Sequence, residues 1–188
     1  MEDLEFTAII EIPMGSLNKY EIDHNTGELF LDRLLFTATR YPTDYGFAPR
    51  TLAEDGDPLD VLVLVEEATF PGCRIRVRPV GLFLMHDEFG RDHKVLCVPA
   101  TDPRWQRVRD LADLDVHLLK EIAHFFAVYK QLEPGKATEV IGWEHAEAAR
   151  EMVLDCQRRY RPGSHAGSGT THGSGQEFIA PSWTPEGG

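Results

Sequence analysis

The 188-residue sequence has no apolar run long enough to cross a bilayer as a helix, so a helical membrane span is excluded. Its start, Met1-Glu2-Asp3-Leu4-Glu5, is acidic and no apolar stretch follows. A secretory leader needs a basic start and an apolar segment, so the expected address is cytoplasmic. Cysteine is scarce, with Cys73, Cys97 and Cys156 odd in number and far apart. They read as reduced core thiols, neither a disulfide frame nor a zinc site. Basic residues are short as well, 19 against 31 acids, for a net charge of −12. Such a surface repels nucleic acid and anionic membranes, and neither is expected as a partner. No internal repeat and no nucleophilic Cys or Ser motif stands out.

What is present is ordinary globular material, 42% hydrophobic and 27% charged, enough for one domain with a real core. Thr7–Ile12 reads as a strand broken by Pro13-Met14-Gly15-Ser16. Lys19–Ile22 and Gly27–Leu31 read as a hairpin, with Asp23-His24-Asn25-Thr26 as the turn. Val61–Val65 is a buried strand by its β-branched run. Arg74–Arg78 alternates strictly, Val80–Met85 continues as strand, and Val95–Val98 is another short one. Short strands at close spacing predict a small barrel. Helices follow, from about Asp115 to Leu132, ended by Pro134-Gly135, and from Glu144 to about Tyr160. The fold class is therefore α+β, with helices packed on one flank of a barrel. Residues 1–160 form the expected domain. Residues 161–188 are Gly/Ser-rich and read as a flexible tail, in which Phe178, Ile179 and Trp183 are a candidate docking motif.

The densest chemistry lies in Glu54-Asp55-Gly56-Asp57-Pro58-Leu59-Asp60, just before the Val61 strand. Carboxylates this close repel one another unless cations sit between them. An EF-hand reading fails, because the sixth position is Asp60 where glycine is required, and a strand follows instead of a helix. A second acidic loop, His86 to Lys94, follows the Val80–Met85 strand, with Asp87 and Asp92 flanking a turn. If both loops meet on one rim, Asp55, Asp60, Asp87 and Asp92 offer oxygen ligands to hard divalent ions, and magnesium suits them best. Lys19, Arg33, Lys94 and Lys130, with Tyr41 and Tyr45, then suit a small, highly charged polyanion.

With these segments in view, the sequence resembles the family I soluble inorganic pyrophosphatases, and details of the tyrosine loop are similar to actinobacterial members. Their Asp-x-Asp-Pro-x-Asp signature stands here as Asp55-Gly56-Asp57-Pro58-Leu59-Asp60. Ile10-Glu11-Ile12-Pro13, Asn18-Lys19-Tyr20-Glu21, Leu31-Asp32-Arg33, Tyr41-Pro42-Thr43-Asp44-Tyr45-Gly46-Phe47, Arg78-Pro79-Val80-Gly81 and Tyr129-Lys130 match in order. The resemblance implies hydrolysis of pyrophosphate, entering as its magnesium complex, to two orthophosphates with several Mg2+ per site. It implies that Asp55, Asp60 and Asp92 hold the metals at the attacking water and that Asp57 is the general base. Asp87, Glu11 and Asp92 would bind metals arriving with the substrate, and Glu21 would act through bound water. Lys19, Arg33, Tyr45, Lys94, Tyr129 and Lys130 would grip the phosphates, with Tyr41 in support. The implied fold is a five-stranded OB-like barrel with flanking helices, and the implied assembly is a homohexamer.

The alternatives are a hydrolase of longer polyphosphates or nucleotide anhydrides, a noncatalytic OB-like binding module, and an inactive scaffold. An oligonucleotide-binding module wants basic grooves with stacking aromatics, which this acidic chain lacks. His24, His86 and His93 lie near the site loops and read as ordinary surface histidines.

Overall fold

The computed structural model describes residues 4–162. The strands are β1 (Phe6–Ile12), β2 (Asn18–Ile22), β3 (Leu29–Leu34), β4 (Asp44–Phe47), β5 (Asp60–Val63), β6 (Arg74–Asp87), β7 (Gly90–Arg91), β8 (Lys94–Pro99) and β9 (Thr138–His145). The helices are α1 (Val116–Val128) and α2 (Ala146–Arg159). Pairing runs β1-β4-β5-β8-β6, and β6 pairs back onto β1, which closes five strands into a barrel. Closure leaves these strands no free edge. The β2–β3 hairpin forms its own sheet beside the barrel. The α+β barrel expected from sequence is the observed architecture.

The continuation of the Arg74–Arg78 strand into Val80–Met85 is observed as β6, which takes in Pro79 at a register shift between Pro79 and Gly81 and runs on to Asp87. Two local readings change. The Tyr41–Phe47 segment carries a strand, β4, whose Gly46 lies hard against β1. A Cβ there would sit 1.9 Å from the Ile9 carbonyl oxygen, so only glycine permits the pairing. Glu144 and His145 end strand β9, and the last helix starts only at Ala146.

Two apolar cores hold the layers together. Ile12, Leu62, Phe83, Met85 and Leu96 inside the barrel meet Ile122, Phe125 and Phe126 of α1. On another side Ala8, Ile10, Val61, Val77 and Cys97 meet Ala149, Val153 and Cys156 of α2. Helix α2 opens without a side-chain cap from its own N-cap residue, His145. Asp110 from a preceding loop supplies it, accepting from Ala146 N at 2.9 Å and pairing with His145 Nδ1 at 2.6 Å. The tail residues Phe178, Ile179 and Trp183 lie outside the described residues.

Candidate active site

The only parallel pair along the barrel path is β5–β8, with Val61 opposite Val95. Parallel strands start at the same end, so Asp60 and Lys94, the first residues of β5 and β8, open on one rim. Lys94 is 1% exposed. Its Nζ donates to Asp60 Oδ2 at 2.7 Å and Asp92 Oδ1 at 2.6 Å. Tyr45 OH donates to the same Asp60 oxygen at 2.6 Å. The rings of Tyr45 and Phe126 stand 5.4 and 5.6 Å from the ammonium. Burial works against this charge, but Asp60 and Asp92 outweigh it and push the Lys94 pKa above the ordinary lysine value. Burial likewise raises Asp60, whereas Lys94 overcomes burial at Asp92 and holds that carboxyl low.

Asp55, Asp60 and Asp92 line one cleft of about 250 Å³ together with Leu82, Leu84 and Met152. Asp55 accepts from Asp57 N at 3.0 Å, which bends the acidic loop back on itself. Partial desolvation, with the charges of Asp57, Asp60 and Asp92 adding to it, raises the Asp55 carboxyl to about 6. Glu11 reaches from β1 to the hairpin, accepting from Ile22 N at 2.8 Å. Its burial, reinforced by Asp60 and Glu21, lifts its carboxyl to about 8.

The remaining groups arrive from the hairpins and from the end of α1. Asp87 closes β6, and Lys130 Nζ lies 3.3 Å from its Oδ2 and 3.4 Å from Glu88 Oε2. In the β2–β3 hairpin Lys19 stands directly opposite Arg33. Lys19 pairs with Glu21 and, at 3.4 Å, with Asp32; Arg33 pairs with Asp32 and, at 3.0 Å, with Glu133. Tyr129 is buried at the end of α1, and Tyr41 is 2% exposed, packed on Phe125 and Tyr45. Tyr41 therefore stiffens the wall without facing solvent.

The candidate residues thus lie on the rim, on the adjoining hairpin or in the wall between them, except Asp57, whose backbone N–H donates to Asp55 but which does not line the cleft. Among the described residues no three His, Cys, Asp or Glu side chains already converge as a chelating group. The donor set nevertheless fits a hard divalent cation. It is all oxygen, Asp55, Asp60 and Asp92 share one cleft, and Asp55 has no basic partner among the described residues. His93, read from sequence as an ordinary surface histidine, is only partly exposed in that cleft wall and stacks with His86 at 6.1 Å. Sequence reasoning gave no role to Glu88, Glu133 or Lys136. Glu133 lies three residues after Lys130 in the turn beyond α1, but its partner Arg33 lies 100 residues away, which no local pattern announces.

A closed barrel that gathers carboxylates with buried and half-buried cations at one rim suits a small, highly charged anion. The family model for inorganic pyrophosphatase matches residues 8–161. An inorganic pyrophosphatase of Streptomyces coelicolor is 55% identical over 163 residues, 86% of this chain and 100% of that protein. The crystal structure of inorganic pyrophosphatase from Thermus thermophilus is 49% identical with a TM-score of 0.81, covering 83% of this chain and 91% of that one. A structure of the inorganic pyrophosphatase of Coxiella burnetii has the same TM-score, 0.81, at 46% identity, covering 84% of this chain and 95% of that one. The chain belongs to the family I soluble inorganic pyrophosphatases. It hydrolyses pyrophosphate to orthophosphate. No described helix is long and apolar enough to cross a membrane.

Proposed function

We propose that the hydrolysis is magnesium-dependent, with Asp55, Asp60 and Asp92 holding the ions at the attacking water and Asp87, Glu11 and Asp92 holding those that accompany the substrate. Bound magnesium would neutralise phosphate charge and make a coordinated water easier to deprotonate. Asp57 would serve as general base, accepting a proton from the attacking water; it stands between Asp55 and Asp60 in a loop that Pro58 stiffens. Glu21 acts through bound water. Lys19, Arg33, Lys94, Lys130, Tyr45 and Tyr129 bind phosphate oxygens, and the cations stabilise charge that gathers on the leaving phosphate. No covalent intermediate is needed.

The observation that carries this reading is Lys94. A fully buried ammonium clasped by Asp60 and Asp92 puts a fixed positive charge at the floor of an acidic rim. Such an arrangement rewards a ligand that is itself an anion carried with cations. The reading extends to residues 1–160 as the catalytic domain, to the cytoplasm as its location, and to a homohexamer. Leu29, Phe30, Leu31 and Leu34 of β3 are all more than 45% exposed, an apolar strand that a second copy would cover. A phosphate-release assay with magnesium tests the substrate class. Pyrophosphate should turn over far faster than ATP or tripolyphosphate, because every proposed contact is to phosphate oxygen. Comparable rates on the three would point to a general anhydride hydrolase.

A further inference from the structure

We propose that Glu133 is a positioning residue for substrate, acting through Arg33. The inference rests on the reading above that Arg33 grips a phosphate. Glu133 is 5% exposed, deep for a carboxylate, in the turn that follows α1. Its N–H donates to the Lys130 carbonyl at 2.9 Å, so the turn that presents Lys130 also presents Glu133. One carboxylate oxygen accepts from Arg33 Nε at 3.0 Å and the other lies 2.7 Å from Lys136 Nζ. Burial opposes the charge on Glu133, but Lys136 and Arg33 outweigh it and keep its carboxyl below the usual range.

The choice of Nε matters. A guanidinium is a planar fork, and fixing Nε fixes the plane at its root. Asp32 engages Nη1, which leaves the Nη2 corner uncommitted among the described residues. Arg33 sits on a hairpin outside the barrel sheet, so its backbone alone does not register it against the rim. Glu11 already ties the hairpin backbone to β1 through Ile22 N; Glu133 adds the tie at the Arg33 side chain itself, to the turn that carries Lys130. A misplaced phosphate ligand costs rate because the transition state demands closer geometry than the ground state does.

The test is a double-mutant cycle on the full chain with magnesium and pyrophosphate, using Glu133→Gln, Arg33→Lys and the pair. Glu133→Gln should lower kcat/KM by roughly 10–100-fold, and Glu133→Asp, which keeps the charge, should recover part of it. In the Arg33→Lys background, Glu133→Gln should have almost no further effect, since the group it orients is gone. Circular dichroism checks folding. If Glu133→Gln does not fold, the same cycle is read with Glu133→Asp. Additive effects, or full activity of Glu133→Gln beside an impaired Arg33→Lys, would overturn the role of Glu133. Full activity of Arg33→Lys would instead remove Arg33 from the substrate, and with it the ground for this inference.

Discussion

At the scale of single residues, the sharpest division of labour is between Asp57 and Asp60. Asp60 is gripped by Tyr45 and Lys94 and lines the cleft, whereas Asp57 is assigned to the proton. Asp57→Asn keeps the shape and removes the acceptor, so turnover should fall by roughly 10²–10⁴-fold with little change in magnesium affinity. Asp60→Asn should weaken metal binding, and excess magnesium should restore part of its activity. Rates of both variants against magnesium concentration decide it. Equal rescue of the two by magnesium would make Asp57 another ligand. These acids were legible because the chain writes them together, in a loop that proline and glycine shape. The state of Lys94 was not legible. In sequence it is one lysine beside other charges, and its complete burial comes from a parallel strand partner more than 30 residues earlier.

At the scale of elements, the strands and helices with a clear period were visible, and β4 and β9 were not. Asp44-Tyr45-Gly46-Phe47 has only two apolar side chains and looks like a loop, yet a glycine that admits the β1 backbone makes it a central strand. Strand β9 carries Gly142 and three charged or imidazole side chains, Glu139, Glu144 and His145, and it is recruited by the long end of β6 through tertiary pairing. The junction from β9 to α2 has its own ionic signature. Asp110 hydrogen-bonds and charge-pairs with exposed His145, raising the His145 pKa above its ordinary value. A raised folded-state pKa stabilises fully below the unfolded value of about 6.5 and fades as pH climbs through the folded value. Asp110→Asn keeps an acceptor for Ala146 N but loses the charge. Its melting temperature should therefore trail the parent more at pH 5.5 than at pH 8.5. A deficit that is equal at both values, in paired thermal melts, would mean the histidine contributes no charge-dependent stability.

At the scale of the whole molecule, the family match ends at residue 161, and the Streptomyces coelicolor relative is spanned over its full length. A chain cut after Arg161 should keep its pyrophosphatase rate and melting temperature nearly unchanged. A large loss of either would assign a role to residues 162–188. The parallel β5–β8 pair has a consequence for how the chain reaches its native state. Strand β8 inserts between β5 and β6, and the connection from β5 runs through the whole of β6 first. A β6–β8 hairpin can zip from its own turn, but the Asp60–Lys94 contact must wait until that hairpin docks on β5. Barrel closure through β1, with Phe6 opposite Val77, is still less local. Loop-closure entropy comes due before such contacts repay it, so folding is slow beside that of a helical bundle of equal length. The rim is completed only when these non-local contacts form, so a ligand that needs it selects the finished barrel. If magnesium binds there as proposed, raising its concentration should raise the melting temperature of the native chain by mass action.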